Sequence, residues 1–178
     1  MKTRGVAITL LLLCCWVITS GAQMRQREAL APAEIEQLRD SAMYPDVRLK
    51  LYTQFARARL VSLEQMRSDP KTANRGQQTH DRLQEFLDIY DELNQNVDNF
   101  NNRKEDLRKP LKMVIEADNE FQAKLLALKS AGSVGPKEAD QYRFLLDSAL
   151  EAVGNGIEDH RQLLVEQEAA KHHKKEKS

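Results

Sequence analysis

Cysteine is nearly absent from the 178 residues: the chain has two, Cys14 and Cys15, side by side near its start. Beyond them there is no disulfide framework, no thiolate nucleophile and no cysteine metal site. Aromatic residues make up 6%, with a single tryptophan, Trp16, and there are only 5 prolines and 7 glycines. So little punctuation argues against a loop-rich or many-turned β fold. Charge of one sign is also missing, because 27 basic residues balance 27 acidic ones, and this excludes binding driven by a net basic or acidic field. With 30% charged residues and a mean hydropathy of −0.61, a multi-span membrane protein is excluded. No Asn-x-Ser/Thr acceptor occurs.

The one uninterrupted apolar run is Val6 to Ile18, broken only by Thr9. It spans roughly 20 Å as a helix, against a hydrocarbon core of about 30 Å. Lys2 and Arg4 precede it and Ser20-Gly21-Ala22 follows, the order of a signal peptide with small residues at its cleavage site. A lipid anchor does not fit, since Leu13 precedes Cys14 and Cys14 precedes Cys15 where a small residue is required. A short retained membrane anchor is the alternative to cleavage. Cleavage after Ala22 is expected, delivering the chain to the periplasm or the exterior without a membrane span. The mature chain of 156 residues then lacks cysteine and tryptophan and carries 25 basic and 27 acidic side chains.

Beyond the leader, residues 23–31 read as a flexible segment, 32–170 as one helical domain and 171–178 as a disordered basic tail. Pro32 opens a first short helix that stops before Tyr44-Pro45. A second runs from Pro45 to Arg67. Its apolar stripe reads as Val47, Leu51, Phe55, Ala58 and Met66, flanked by Tyr52, Ala56, Leu60 and Leu63. Residues 68–76, with Pro70, form a loop. From Leu83 through Phe86, Tyr90, Leu93, Val97, Phe100, Lys104, Leu107, Leu111, Val114, Asp118, Phe121 and Leu125 to Leu128, steps of three and four continue without a slip. That is one seam facing partner helices, as in coiled coils and bundles. Because the phase crosses Pro110, one long helix kinked near Arg108–Pro110 is expected; two helices with a tight break are the alternative. Residues 131–135 form a turn, and Pro136 opens a last helix. Its stripe is Ala139, Tyr142, Leu146, Ala149, Val153, Gly156, His160 and Leu163, with Gly154 and Gly156 marking a close helix approach or a bend. No stretch alternates at period two. The fold class is all-α: an elongated antiparallel bundle of three to four helices around the long central one.

Catalytic motifs are absent. Gly132-Ser133-Val134-Gly135 has the wrong spacing for a nucleophile elbow, and there is no HExxH, GxxxxGK or CxxCH. Ile157 and Gln77 stand three residues before His160 and His80, where a di-iron bundle would need glutamate. Carboxylates are scattered on helix exteriors. No catalytic residue, cofactor or metal site is assigned; the weak metal candidates are His172, His173 and His160. His160 lies on the apolar stripe of the last helix, where antiparallel packing brings it level with Asp106 and pairs it with Glu105 or Asp106. His80 falls half a bundle away. The lysines of 171–178 form a tail able to touch anionic surfaces weakly. Asn94, Asn96, Asn99, Asn101 and Asn102 lie off the seam and soften the helix there.

Pro45-Asp46-Val47-Arg48-Leu49-Lys50-Leu51-Tyr52, with Phe55-Ala56, Arg59-Leu60 and Phe121-Gln122-Ala123-Lys124-Leu125, resembles a recurring opening in uncharacterised exported helical proteins of acidobacterial type. The resemblance extends over the long helix and Tyr142 to Ala152. It implies export and a helical fold and brings no active-site residue. Ala31-Pro32-Ala33-Glu34-Ile35-Glu36-Gln37 faintly resembles the LTxxQ repeats of periplasmic helical proteins of the Spy and CpxP kind. It lacks their leucine-threonine start and a second copy. The expected function is therefore non-enzymatic: contact with a protein partner or self-association, without nucleic acid. The alternative is a stress-type protein that binds unfolded clients or metal ions; hydrolysis by a carboxylate pair ranks last.

Overall fold

The computed structural model describes residues 29–131 and 135–176, with side chains described as far as residue 171. The expected leader and residues 23–28 lie outside the described residues. Among those described, every regular element is a helix: α1 (Pro32–Asp40), α2 (Pro45–Ser68), α3 (Arg75–Asn102), α4 (Arg108–Ser130), α5 (Pro136–Ala139) and α6 (Arg143–Glu176). Pro32, Pro45 and Pro136 each stand at the start of a helix, where a missing N–H is no loss. The Glu34 carboxylate accepts the Ala31 N–H at 2.7 Å and closes the start of α1.

Six helices pack on one another. α2 lies against α3 and α4, α6 lies against the other sides of α3 and α4, α1 sits on α2, and α5 sits on α3. Residue numbers rise together in the ion pairs Lys109–Asp46 (3.1 Å), Arg57–Glu120 (2.9 Å) and Lys124–Glu64 (2.8 Å), so α2 and α4 run parallel. Numbers run oppositely in Lys129–Asp147 (2.7 Å) and Lys112–Glu168 (3.0 Å), so α4 and α6 are antiparallel. α3 and α4 meet across the middle, where the Phe86 and Tyr90 rings lie 5.4 and 6.3 Å from the Phe121 ring. The core is one continuous apolar cluster from Leu30 to Ile157. Leu30 itself, in the segment expected to be flexible, is 9% exposed. The α6 backbone runs on through Lys171 to Glu176, into the expected tail.

The seam residues from Leu83 to Leu125 are buried, apart from Lys104. The expected single long helix is corrected: α3 stops at Asn102 and α4 starts at Arg108. Lys104 has φ of 63°, and its N–H reaches Asn101 O at 2.9 Å while Glu105 N–H reaches Phe100 O at 3.1 Å. This is a Schellman ending with lysine in the position that glycine usually takes. Pro110 is the third residue of α4, where its lack of an N–H costs nothing. It starts a helix and kinks none. The phase survives because the break is short enough to return Leu107 and Leu111 to the same core.

One further boundary and one buried face differ from expectation. The last helix does not run from Pro136, because α5 ends at Ala139 and α6 begins at Arg143. On α2 the buried face is Leu49, Tyr52, Phe55, Ala56, Leu60 and Leu63, while Val47 is 50% exposed and Ala58 faces out. With α3 and α4 both on one side, that face is the only one covered by long helices.

Lys104→Gly is expected to stabilise the protein by about 1 kcal/mol in urea unfolding, since a side chain in the left-handed region costs roughly 1–2 kcal/mol. A destabilised variant would contradict the Schellman assignment.

Candidate functional site

Three seams each carry one polar residue at a core position: Tyr90 on α3, Asp118 on α4 and His160 on α6. Tyr90 and Asp118 are 0% exposed and His160 is 3% exposed. A carboxylate so placed must find donors, because an unpaired buried charge is strongly unfavourable. Tyr90 OH donates to Asp118 Oδ1 at 3.0 Å, and His160 Nδ1 lies 2.8 Å from Asp118 Oδ2. With Asp118 ionised, Nδ1 carries the proton and donates. The tyrosine is kept in its donor form, because burial, the Asp118 charge and the hydrogen bond to it hold the phenol pKa well above its usual value. Its ring stacks on Phe86 at 5.8 Å and meets the edge of Phe121.

Gly156 makes room for this arrangement. A Cβ there would fall 2.1 Å from Tyr90 OH, whereas one at Gly154 would meet nothing within 4 Å. The two glycines that looked alike in sequence are thus different: Gly156 admits the tyrosine hydroxyl and Gly154 faces open space.

The expected partner of His160 is corrected. Asp106 pairs with Arg108, Glu105 with Arg103, and His160 with Asp118. Residues 136–142 are taken up by α5 and the turn after it, so α6 starts later than a continuous helix from Pro136 would. The register against α4 moves by roughly three helical turns. In the sequence Asp118 stands on the apolar seam, and the spacing names no partner for it. The available signal was that three apolar seams each held a hydrogen-bonding side chain near mid-length.

The arrangement has the carboxylate–imidazole half of a hydrolytic triad. All three residues are at most 3% exposed, which leaves no room for a substrate beside them. As a metal ligand His160 would have to act with its Nδ1 already engaged, and no group of three or more His, Cys, Asp or Glu suited to a metal is found among the described residues. The side chains of His172 and His173 lie outside the described residues. His80, near the start of α3, stands 3.5 Å from Asp81 and away from His160.

Other polar groups tie the helices at their ends. Arg59 bonds Glu34 Oε1 at 2.9 Å and the Ala29 carbonyl at 2.6 Å, and sits 3.7 Å from Glu85. Burial alone would raise the Glu34 pKa, but hydrogen bonds from Arg59 and the Ala31 N–H, with the Arg59 charge, hold it below its usual value. Tyr52 is pushed up to about 12 by burial and by its 2.9 Å hydrogen bond to Glu92. Of the asparagines, Asn99 and Asn102 are exposed, Asn96 accepts from Arg48 at 2.6 Å and Asn101 from Gln167 at 3.2 Å. They serve helix ends and surfaces, off the seam. In comparisons with known proteins, no family model, no curated protein and no solved structure matches the chain.

Gly156→Ala is expected to destabilise by roughly 1–3 kcal/mol through overpacking, and Tyr90→Phe by about 1–3 kcal/mol by depriving Asp118 of a donor. Removing the hydroxyl also removes the clash, so the double variant should fall short of additivity by about 1 kcal/mol in urea unfolding. Additive losses would contradict the close approach.

Proposed function

We propose that the chain is an exported, non-enzymatic helical protein, an elongated bundle that works by contact with a protein partner or with a second copy of itself. The observation that carries this reading is an apolar corner where α1 passes into α2. Met43, Tyr44 and Val47 are 67%, 63% and 50% exposed. Tyr44, Val47 and Leu51 edge a shallow hollow of about 290 Å³ beside Gln37, Asp40 and Ser41. Large apolar side chains grouped on a surface are favourable to cover, and such groups mark contact sites. Val47 and Leu51 belong to the stripe of α2 that periodicity marks as apolar, and Met43 and Tyr44 extend it from the turn before α2.

Export rests on the order Lys2, Arg4, Val6 to Ile18 and Ser20 to Ala22. The absence of catalytic motifs and the closed Tyr90–Asp118–His160 cluster support a role without chemistry. Balanced charge speaks against nucleic acid.

A Met43→Gln, Tyr44→Ser, Val47→Gln variant should keep its stability within about 0.5 kcal/mol, since such side chains contribute little to the isolated fold. The native chain is expected to self-associate in sedimentation or to form cross-links in the cell envelope, and the variant to lose them. Unchanged association in a folded triple variant would contradict the reading.

A further inference from the structure

At the opposite end of α2, a slot of about 310 Å³ lies between the last turns of the parallel helices α2 and α4. Its floor is core surface: Leu60, Leu63 and Leu125 are 2%, 3% and 0% exposed. Ala127, Leu128 and Ala131 extend the apolar wall. The volume is at the small end of ligand sites, enough for one slender apolar chain.

The rim is cationic. Lys124 Nζ lies 2.8 Å from both oxygens of Glu64, which neutralises that side. On the other side two guanidiniums share one carboxylate: Arg75 reaches Glu138 through Nε at 3.0 Å and Nη2 at 3.1 Å, and Arg67 reaches it through Nη1 at 3.2 Å. One positive charge is left over among these groups. Consistent with that excess, the Arg75 hydrogen bond holds the Glu138 carboxyl below its usual pKa. The carbonyl ends of α2 and α4, which would repel an anion, are partly covered by hydroxyls. Ser68 donates to Gln65 O at 2.8 Å, Thr72 to Met66 O at 2.9 Å and Ser130 to Leu126 O at 2.8 Å. A larger hollow at the other end of the bundle is built differently: Asp46, Asp106, Glu116 and Glu168 outnumber Arg108, Lys109 and Lys112 there.

We propose that this slot binds a single-chain anionic amphiphile, a fatty-acid carboxylate, with its alkyl chain along Ala127, Leu128 and Ala131 above Leu60 and Leu63 and its head at Arg67 and Arg75. A linear chain suits an apolar wall laid along two parallel helices, and the carboxylate meets the uncompensated guanidinium charge. This goes beyond the contact reading and does not depend on it, since slot and apolar corner lie at opposite ends of α2.

The test is calorimetric titration of the full chain with hexanoate, octanoate and decanoate, each below its micellar concentration. One molecule of decanoate per chain is expected to bind saturably, with affinity rising up to roughly fourfold per methylene as each is buried. Decyltrimethylammonium, with the same tail and the opposite charge, should bind at least tenfold more weakly. Ala127→Phe, an exposed position on the slot wall, should weaken decanoate at least tenfold, and Arg75→Gln at least threefold. Methyl NMR on the native chain gives a reading that needs no variant to fold: shifts should concentrate on Leu63, Leu125 and Leu128. No saturable binding, equal binding of the cationic amphiphile, a folded Ala127→Phe that binds as before, or shifts centred elsewhere would each overturn the proposal.

Discussion

A carboxylate with no access to water is the constraint from which the helix arrangement follows. Asp118 sits on an apolar seam at 0% exposure and is met by one donor on each oxygen, from Tyr90 and His160. Apolar seams alone tolerate sliding by a turn, because one leucine step resembles the next. A buried carboxylate does not: moving α3 or α6 by one turn would leave one of the Asp118 oxygens without its donor, at a cost of about 1–3 kcal/mol. A single polar position that selects register is a familiar device in coiled coils. Here the device spans three helices, and Gly156 is the space it requires.

The same helix that carries His160 also fixes the end of the bundle. One heptad further along α6, Gln167 accepts the Leu107 N–H at 2.8 Å and donates to Asn101 Oδ1 and the Glu105 carbonyl, both at 3.2 Å. It thereby caps the start of α4 and ties down the turn that breaks the expected long helix. α6 is held at two points, one in the core and one at the turn. These contacts explain how α3 and α4 can lie across the core from each other although only five residues, 103–107, join them.

Much of this was legible in the sequence, and the parts that were not share a physical cause. Spacing alone identified the buried faces of α3, α4 and α6, because burying an apolar residue every third or fourth position needs no knowledge of partners. It misplaced the buried stripe of α2, because that helix has apolar residues on two faces and only the positions of α3 and α4 decide between them. The break at Lys104 was hidden since a helix ending with glycine announces itself and one ending with lysine does not. Pro110 was visible but ambiguous, a kink in a helix interior and an ordinary residue in a first turn. The partner of His160 depended on how much chain the α4–α6 connection consumes, which periodicity does not encode. The apolar slot is a property of two helices together and has no signature in either.

Two defined donors hold Asp118 away from water, and NMR of the imidazole N–H groups in chain labelled with nitrogen-15 at histidine observes one of them. A slowly exchanging His160 Nδ1–H resonance with cross-relaxation to the Tyr90 ring is the predicted result. Rapid exchange of that proton with solvent, with no contact between His160 and Tyr90, would contradict it.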